Sequence, residues 1–307
     1  MSRTPFYLTT PIYYVNSVPH LGTAYTTIAA DALARYRRMT GHDVFFLTGL
    51  DEHGQKVAQA AEENGMSPQD WCDSIAPRFT EAWELLDISN DDFIRTTEER
   101  HKRGVQAFWT KLHDEGYLYQ GAYEGWYCVP DETYYTEEQL AEGACPGCGR
   151  EVQFIREENW FFKLSEFAGP LLDYYEAHPG FIQPETRRNE VLSFVKGGLR
   201  DLSISRTTFT WGVPLPFAEN HVTYVWIDAL LNYITAIGYG SDDADQAALF
   251  ERYWPAQVHF VGKDIIRFHC VIWPAMLMAA GVPLPETVFA HGFLLTKGEK
   301  MSKSKGN

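Results

Sequence analysis

Apolar runs and amphipathic stretches alternate along the first third of the chain. FYLTTPIYYV, starting at Phe6, predicts a buried strand running into a proline turn. HLGTAYTTIAADALARYRRMTG then switches to helical spacing, with Leu21, Tyr25, Ile28, Leu33 and Tyr36 approximating one stripe and Gly41 as the stop. DVFFLTGL is a second apolar strand, and DEHGQKVAQAAEENG a helix closed by Gly65. SPQDWCDSIAPRFTEAWELL opens with Ser67 as N-cap and Pro68 at the first helical position. TTEERHKRGVQAFWTKLHDEGY predicts a further helix ending at Gly116. Strand and helix in alternation predict an α/β fold with a doubly wound parallel sheet.

From about Tyr119 to Trp211 the pattern changes to short aromatic runs, tight turns and a cysteine pair. The α/β rhythm then returns in VTYVWIDALLNYITAIGYG, VHFVGKDIIRFHCVIWPAMLMAAG and TVFAHGFLL. One Rossmann-like nucleotide-binding sheet split by an insertion accounts for this order. The expected boundaries are 1–118 and 211–296 for the two halves, 119–210 for the inserted connective domain and 297–307 for a terminal loop.

Composition narrows the class. At 307 residues, 45% apolar and 22% charged, the chain is an ordinary globular sequence long enough for a substantial core. No uncharged apolar run approaches the roughly 18 residues of a membrane span, and MSRTPFYLTTPIYY lacks the continuous apolar stretch of a signal peptide. No membrane and a cytoplasmic location are the expectation. Five cysteines in a long chain do not read as a disulfide framework. Net charge is −15, from 26 basic and 41 acidic residues, which excludes a uniformly basic nucleic-acid binder but not a local basic site.

Candidate chemistry lies at both ends. In PHLGTAY, His20 and Gly22 sit where the first strand meets the first helix, and a helix N-terminus is an anion site. By itself that stretch is an ordinary helix start. At the other end, TKGEKMSKSKGN carries Lys300 and Lys303, mobile point charges suited to a transferring phosphoryl group, with glycines at 298 and 306. In the insertion, Cys145 and Cys148 form a C-x-x-C knuckle of the kind that holds zinc.

HLGT together with KMSKS resembles the paired signature of class I aminoacyl-tRNA synthetases. PIYYVNSVPHLG, ADALARYRRMTGHDVFFLTGLDEHGQK, HVTYVWIDALLNY, VGKDIIRFHCVIWPAML and HGFLLTKGEKMSKSKGN, in that order, resemble the methionyl members over essentially the whole chain. The resemblance implies activation of methionine by ATP, with Mg2+, to methionyl-adenylate, and transfer to tRNA(Met). It implies that His20 and Gly22 meet the ATP phosphates and that Lys300 and Lys303 stabilise departing pyrophosphate. Gly262 and Asp264 would stand at the nucleotide, and His291, Gly292 and Phe293 at the adenine rim. Asp51 would take the methionine ammonium. Ile12, Tyr14, Trp226, Ala229, Tyr233 and His269 would line the side-chain pocket, where an aromatic wall suits a thioether.

Three departures from the pattern stand out. Thr23 occupies the place of the signature's second histidine; it can donate one hydrogen bond but carries no charge. Asp131 stands where the family's second knuckle cysteine would be, so the ligand set for one structural Zn2+ becomes Cys128, Asp131, Cys145 and Cys148. Finally, the family continues past KMSKSKGN into a helical anticodon-binding domain. The sequence therefore reads as a catalytic-domain fragment, expected to charge tRNA poorly. Three alternatives compete: a nucleotidylyltransferase on the same fold, a class I synthetase for another amino acid, and a binding-only remnant. Cys72 and Cys270 read as buried thiols.

Overall fold

The computed structural model of the chain describes residues 3–131, 133–296 and 299–300. The first α/β segment comprises β1 (Pro5–Thr9), β2 (Tyr13–Tyr14), α1 (Leu21–Met39), β3 (Asp43–Asp51), α2 (Gln55–Glu63), α3 (Pro68–Leu85), β4 (Asp92–Arg95) and α4 (Glu99–Asp114). The middle segment contributes β5 (Leu118–Cys128), β6 (Thr133–Tyr135), β7 (Gln153–Phe162), α5 (Ala168–Ala177), β8 (Ile182–Gln183), α6 (Glu185–Lys196), β9 (Leu202–Ser203) and β10 (Ser205–Arg206). Then follow β11 (Val222–Thr223), α7 (Val225–Thr235), α8 (Ala244–Tyr253), β12 (Val258–Gly262), α9 (Trp273–Ala279), β13 (Val288–His291), β14 (Leu295–Thr296) and β15 (Glu299–Lys300).

The main sheet runs β3–β1–β12–β13–β8, with β2 and β4 also paired to β3, and every pairing is parallel. β3 explains why: Phe46, Leu47 and Leu50 are wholly buried, as expected of a strand covered on both faces. The chain passes from β1 to β3 on one side and returns as β12 on the other. That reversal opens a crevice at the carboxyl ends of β1 and β12, where doubly wound sheets bind ligands.

The stretch 119–210 contributes two kinds of structure. β6–β5–β7–β9 is an antiparallel sheet, with β5 and β7 paired from Leu118–Phe162 to Tyr127–Gln153. Between β7 and β9 in the chain, β8 returns to the edge of the parallel sheet beside β13. Phe162, Phe167, Leu171 and Tyr175 accordingly join the same apolar core as Tyr7, Trp109, Leu231 and Trp273.

Local signals set most ends. Ser67 caps α3 by accepting from the Asp70 amide, and Gly41, Gly65 and Gly116 follow their helices with positive φ. One expectation fails. An apolar stripe ordinarily marks a helix's buried face, but in α1 Leu21, Tyr25, Ile28 and Tyr36 are exposed. The buried face is Thr23, Thr26, Thr27, Ala30, Asp31 and Ala34. Small residues there let α1 lie close on β1 and β3, where Ala30 and Ala34 pack with Phe6, Leu8 and Phe46.

Candidate active site

Four elements deliver side chains to the carboxyl edge of the sheet. α1 starts beyond β1, and His20 is its N-cap: the ring Nδ1 accepts from the Gly22 amide at 2.9 Å. A neutral ring bonded in this way carries its proton on Nε2, which makes that atom a donor. A Cβ on Gly22 would lie 2.7 Å from the ring's Cε1. Glycine is thus required because the histidine folds over it. Thr23, next along, is buried, and its carbonyl accepts from the Thr27 hydroxyl at 3.1 Å.

His291, the last residue of β13, reaches back to α1. The Thr26 hydroxyl lies 2.7 Å from its Nε2, its Nδ1 lies 2.8 Å from the Gly292 carbonyl, and the Tyr25 ring meets it edge-on at 4.8 Å. Nδ1–H donating to that carbonyl leaves Nε2 to accept from Thr26. Gly262, paired with His291 across β12 and β13, leaves room for the Asp264 carboxylate: a Cβ there would lie 2.6 Å from Asp264 Oδ1. Asp264 itself is exposed. The Lys263 ammonium sits 4.4 Å over the Phe293 ring. His20, Gly22, Gly262, Asp264, His291, Gly292 and Phe293 therefore all lie at the α1 start and at the ends of β12 and β13. Thr26, Tyr25 and Lys263 join them. A hydroxyl between two turns of helix gives no sequence signal of that kind.

The second half of the edge is aromatic. Asp51 ends β3, only 3% exposed, and pairs in register with Tyr14 of β2. Tyr14 stacks with Trp226 at 6.5 Å, and Trp226 with Phe268 at 5.3 Å. Ile12, Tyr14, Trp226 and Ala229 are half-buried, above Tyr233 and His269, which are 1% and 4% exposed. The Tyr233 hydroxyl donates to His269 Nε2 at 2.7 Å, and His269 Nδ1 donates to the Ile265 carbonyl at 3.0 Å. Burial pushes the His269 pKa down to about 4, so the ring is neutral and both bonds keep one direction. His259 lies beneath, stacked on Tyr233 at 4.3 Å. The seven-residue spacing of Trp226 and Tyr233 is open to two readings, core or pocket. Tyr233 is almost wholly buried, whereas Trp226 is half-buried.

Sequence patterns gave no hint of a buried cluster behind Asp51. Asp228 of α7 accepts from His53 Nδ1 at 2.6 Å and from His101 Nε2 at 3.0 Å. No periodicity announces it, because its members are 127 and 175 positions apart.

The knuckle lies apart, at the end of the antiparallel sheet. The ligand atoms of Cys128, Asp131, Cys145 and Cys148 lie within 4.8 Å of one another, with Cys128 and Cys148 sulfurs 3.5 Å apart and Cys145 Sγ 3.0 Å from Asp131 Oδ2. Ligands at 2.3 Å in a tetrahedron stand about 3.8 Å apart, so the donor set fits a zinc-sized ion. Without a metal, burial and then the neighbouring thiols push Cys128 up to about 12; a bound cation reverses that preference. Cys72 and Cys270 are buried thiols. Lys303 lies outside the described residues, and Lys300 is described only in its backbone, as part of β15. Among the described residues, no helix is long and apolar enough to cross a membrane.

The family described as tRNA synthetases class I (M) matches residues 6–154 and 149–307. The methionine--tRNA ligase of Caldanaerobacter subterraneus subsp. tengcongensis is 57% identical over 307 residues, covering 100% of this chain and 48% of that protein. That of Thermotoga maritima is 56% identical, covering 98% and 48%. A solved Mycobacterium tuberculosis methionyl-tRNA synthetase in complex with methionyl-adenylate superposes with a TM-score of 0.93 at 51% identity, covering 99% of this chain and 60% of that one. The free-state structure of that enzyme superposes at 0.79. The chain spans about half the length of the curated relatives it matches. With a parallel sheet split at a switch crevice and these matches along its whole length, the chain belongs to the methionyl group of the class I tRNA synthetases.

Proposed function

We propose that this chain activates methionine with ATP. A methionine carboxylate oxygen attacks the α-phosphorus, the bond from that phosphorus to the bridging oxygen breaks, and methionyl-adenylate and pyrophosphate form. The observation that carries the reading is the division of the sheet edge: an anion site at the His20-capped start of α1 on one side, and a buried carboxylate beside a stacked aromatic wall on the other. His20 Nε2–H and the positive end of α1 meet the phosphates. Asp264 accepts from the ribose, and His291, Gly292 and Phe293 border the adenine. Asp51 holds the ammonium, and Ile12, Tyr14, Trp226, Ala229, Tyr233 and His269 hold the thioether side chain. Thr23 supports the helix start from its buried position. Lys300 and Lys303 stabilise the leaving pyrophosphate, and Mg2+ arriving with ATP shares that charge neutralisation.

The same proposal includes the chain division 1–118, 119–210 and 211–296, one structural zinc held by Cys128, Asp131, Cys145 and Cys148, transfer of the product to tRNA(Met), and a cytoplasmic setting. A similar protein has been solved with methionyl-adenylate, which supports methionine and ATP as the substrates. The test is amino-acid-dependent exchange of pyrophosphate into ATP. Methionine should support it and Asp51→Ala should abolish it, since the ammonium loses its carboxylate. Leucine or valine working as well as methionine would overturn the pocket assignment, and no exchange with any amino acid would leave a binding-only remnant.

A further inference from the structure

Asp228, His53 and His101 are 0%, 2% and 0% exposed. They are closed off from solvent, and none is among the residues proposed above to meet methionine or ATP. Nor does such a cluster serve stability well. Taking polar groups out of water is costly, and replacing such a buried cluster by apolar residues of the same volume is often neutral for stability. What hydrogen bonds add over apolar contact is direction, hence a fixed distance.

The members identify which distance. His53 is two residues past Asp51, on the loop that leaves β3. Asp228 stands on α7, two residues past Trp226 and next to Ala229. His101, on α4, bonds α7 twice, to Asp228 at 3.0 Å and to the Thr235 hydroxyl at 2.8 Å, two turns apart. From the other side Trp211 clasps the loop: its Nε1–H donates to the Glu52 carbonyl at 2.6 Å, its carbonyl accepts from the Gly54 amide at 3.0 Å, and its ring meets His53 edge-on at 5.5 Å. The Glu52 amide donates to Thr96 Oγ1 at 3.0 Å. Burial by itself would raise the Asp228 carboxyl, yet the two imidazoles hold it at about 2, so it accepts from both at working pH.

We propose that Asp228 is a positioning residue for methionine recognition: by accepting from His53 and His101 it sets the separation between the Asp51 carboxylate at the end of β3 and the aromatic wall on α7. This rests on the activation reading above. An amino acid fits when its ammonium and its side-chain tip reach both ends at once, so that separation selects side-chain length. Length is hard to select otherwise, because a single methylene in a fitted pocket is worth only about 10–200-fold.

The test titrates methionine, ethionine and ATP separately against the full chain by tryptophan fluorescence, with melting temperature recorded for every variant. Asp228→Asn turns one of two acceptors into a donor facing an N–H. It is expected to weaken methionine about tenfold or more, leave ATP within about twofold, and lower the preference for methionine over ethionine. His53→Phe should behave alike, and His53→Asn, which restores a donor near Nδ1, should recover most of the loss. A merely structural role would lower the folded fraction and dilute methionine and ATP binding together. Should D228N fail to fold, the His53 pair decides. The proposal alone is overturned if the wild type binds methionine and D228N or H53F binds it equally well, or loses ATP in parallel. A wild type that binds no methionine overturns the activation reading and this proposal with it.

Discussion

Gly22→Ala is predicted to separate activity from stability. Gly22 is the second residue of α1, and the ideal Cβ would stand 2.7 Å from His20 Cε1 and 3.0 Å from Nδ1. Both are too close for van der Waals contact, so the ring must swing off the helix end. The fold then loses the N-cap bond, which costs about 0.5–2 kcal/mol. It gains roughly 0.5–1 kcal/mol from replacing a helical glycine with alanine. The two nearly cancel, and the melting temperature should stay within a few degrees. The chemistry has no such offset. A donor to a charged phosphate is worth about 1.5–3 kcal/mol, so pyrophosphate exchange should fall roughly 10–150-fold. Exchange and melting measured on the same preparation decide the matter, with His20→Ala as a second background in which G22A should add little. Wild-type exchange in G22A, or a loss that follows unfolding, would refute the argument.

Other outcomes follow from the same geometry. Purified protein should carry close to one zinc per chain, and a chelator should lower its thermal stability, because the knuckle's binding energy is folding energy; elemental analysis and melting check both. Below pH 6.5 stability should fall: His269 is held at about 4 when folded, so it contributes stability above its unfolded value of 6.5 that is lost as pH drops toward 4, up to about 3 kcal/mol. His259 is lowered in the same direction by burial, and a His269→Gln variant should show a flatter pH–stability profile by denaturant titration. Arg95→Ala should cost about 1–3 kcal/mol, because Glu52, wholly buried and with its carboxyl already raised by burial, loses its 2.6 Å partner and takes up a proton. Adding Glu52→Gln should recover part of that loss.

The legible parts of this chain were those fixed by local pattern. β3 reads as a strand because a strand buried on both faces needs an unbroken apolar run, and α3 starts where Ser67 and Pro68 say it does. The knuckle was visible because its residues fall within one short stretch. The face of α1 was not, since the pattern shows which residues are apolar and not how near the sheet comes. Thr23, Thr26 and Thr27 are buried because short side chains permit the close approach that Tyr25 and Ile28 would block. The Asp228 cluster was out of reach for a different reason: a buried polar residue is defined by its partner, and the three members of this cluster come from three distant segments.

The two halves of the site are accordingly held in different ways. The proposed phosphate corner depends on a bond between residues two positions apart, Gly22 N–H to His20 Nδ1, at the exposed start of a helix. The proposed amino-acid half depends on long-range bonds: His53 to Asp228, Trp211 to Glu52, Tyr233 to His269. A local cap costs about 1 kcal/mol to break and re-forms without moving its neighbours. Buried long-range bonds resist a change in any one partner, because each lost partner leaves a desolvated group behind. A shape-selective pocket needs that rigidity, since its specificity is a difference of fractions of an ångström between similar ligands. The α1 start is set by a local bond instead, so its geometry can change without disturbing the fold around it. Substitutions at the α1 start should therefore change rate with little change in stability, and substitutions behind Asp51 and α7 should move affinity, selectivity and stability together.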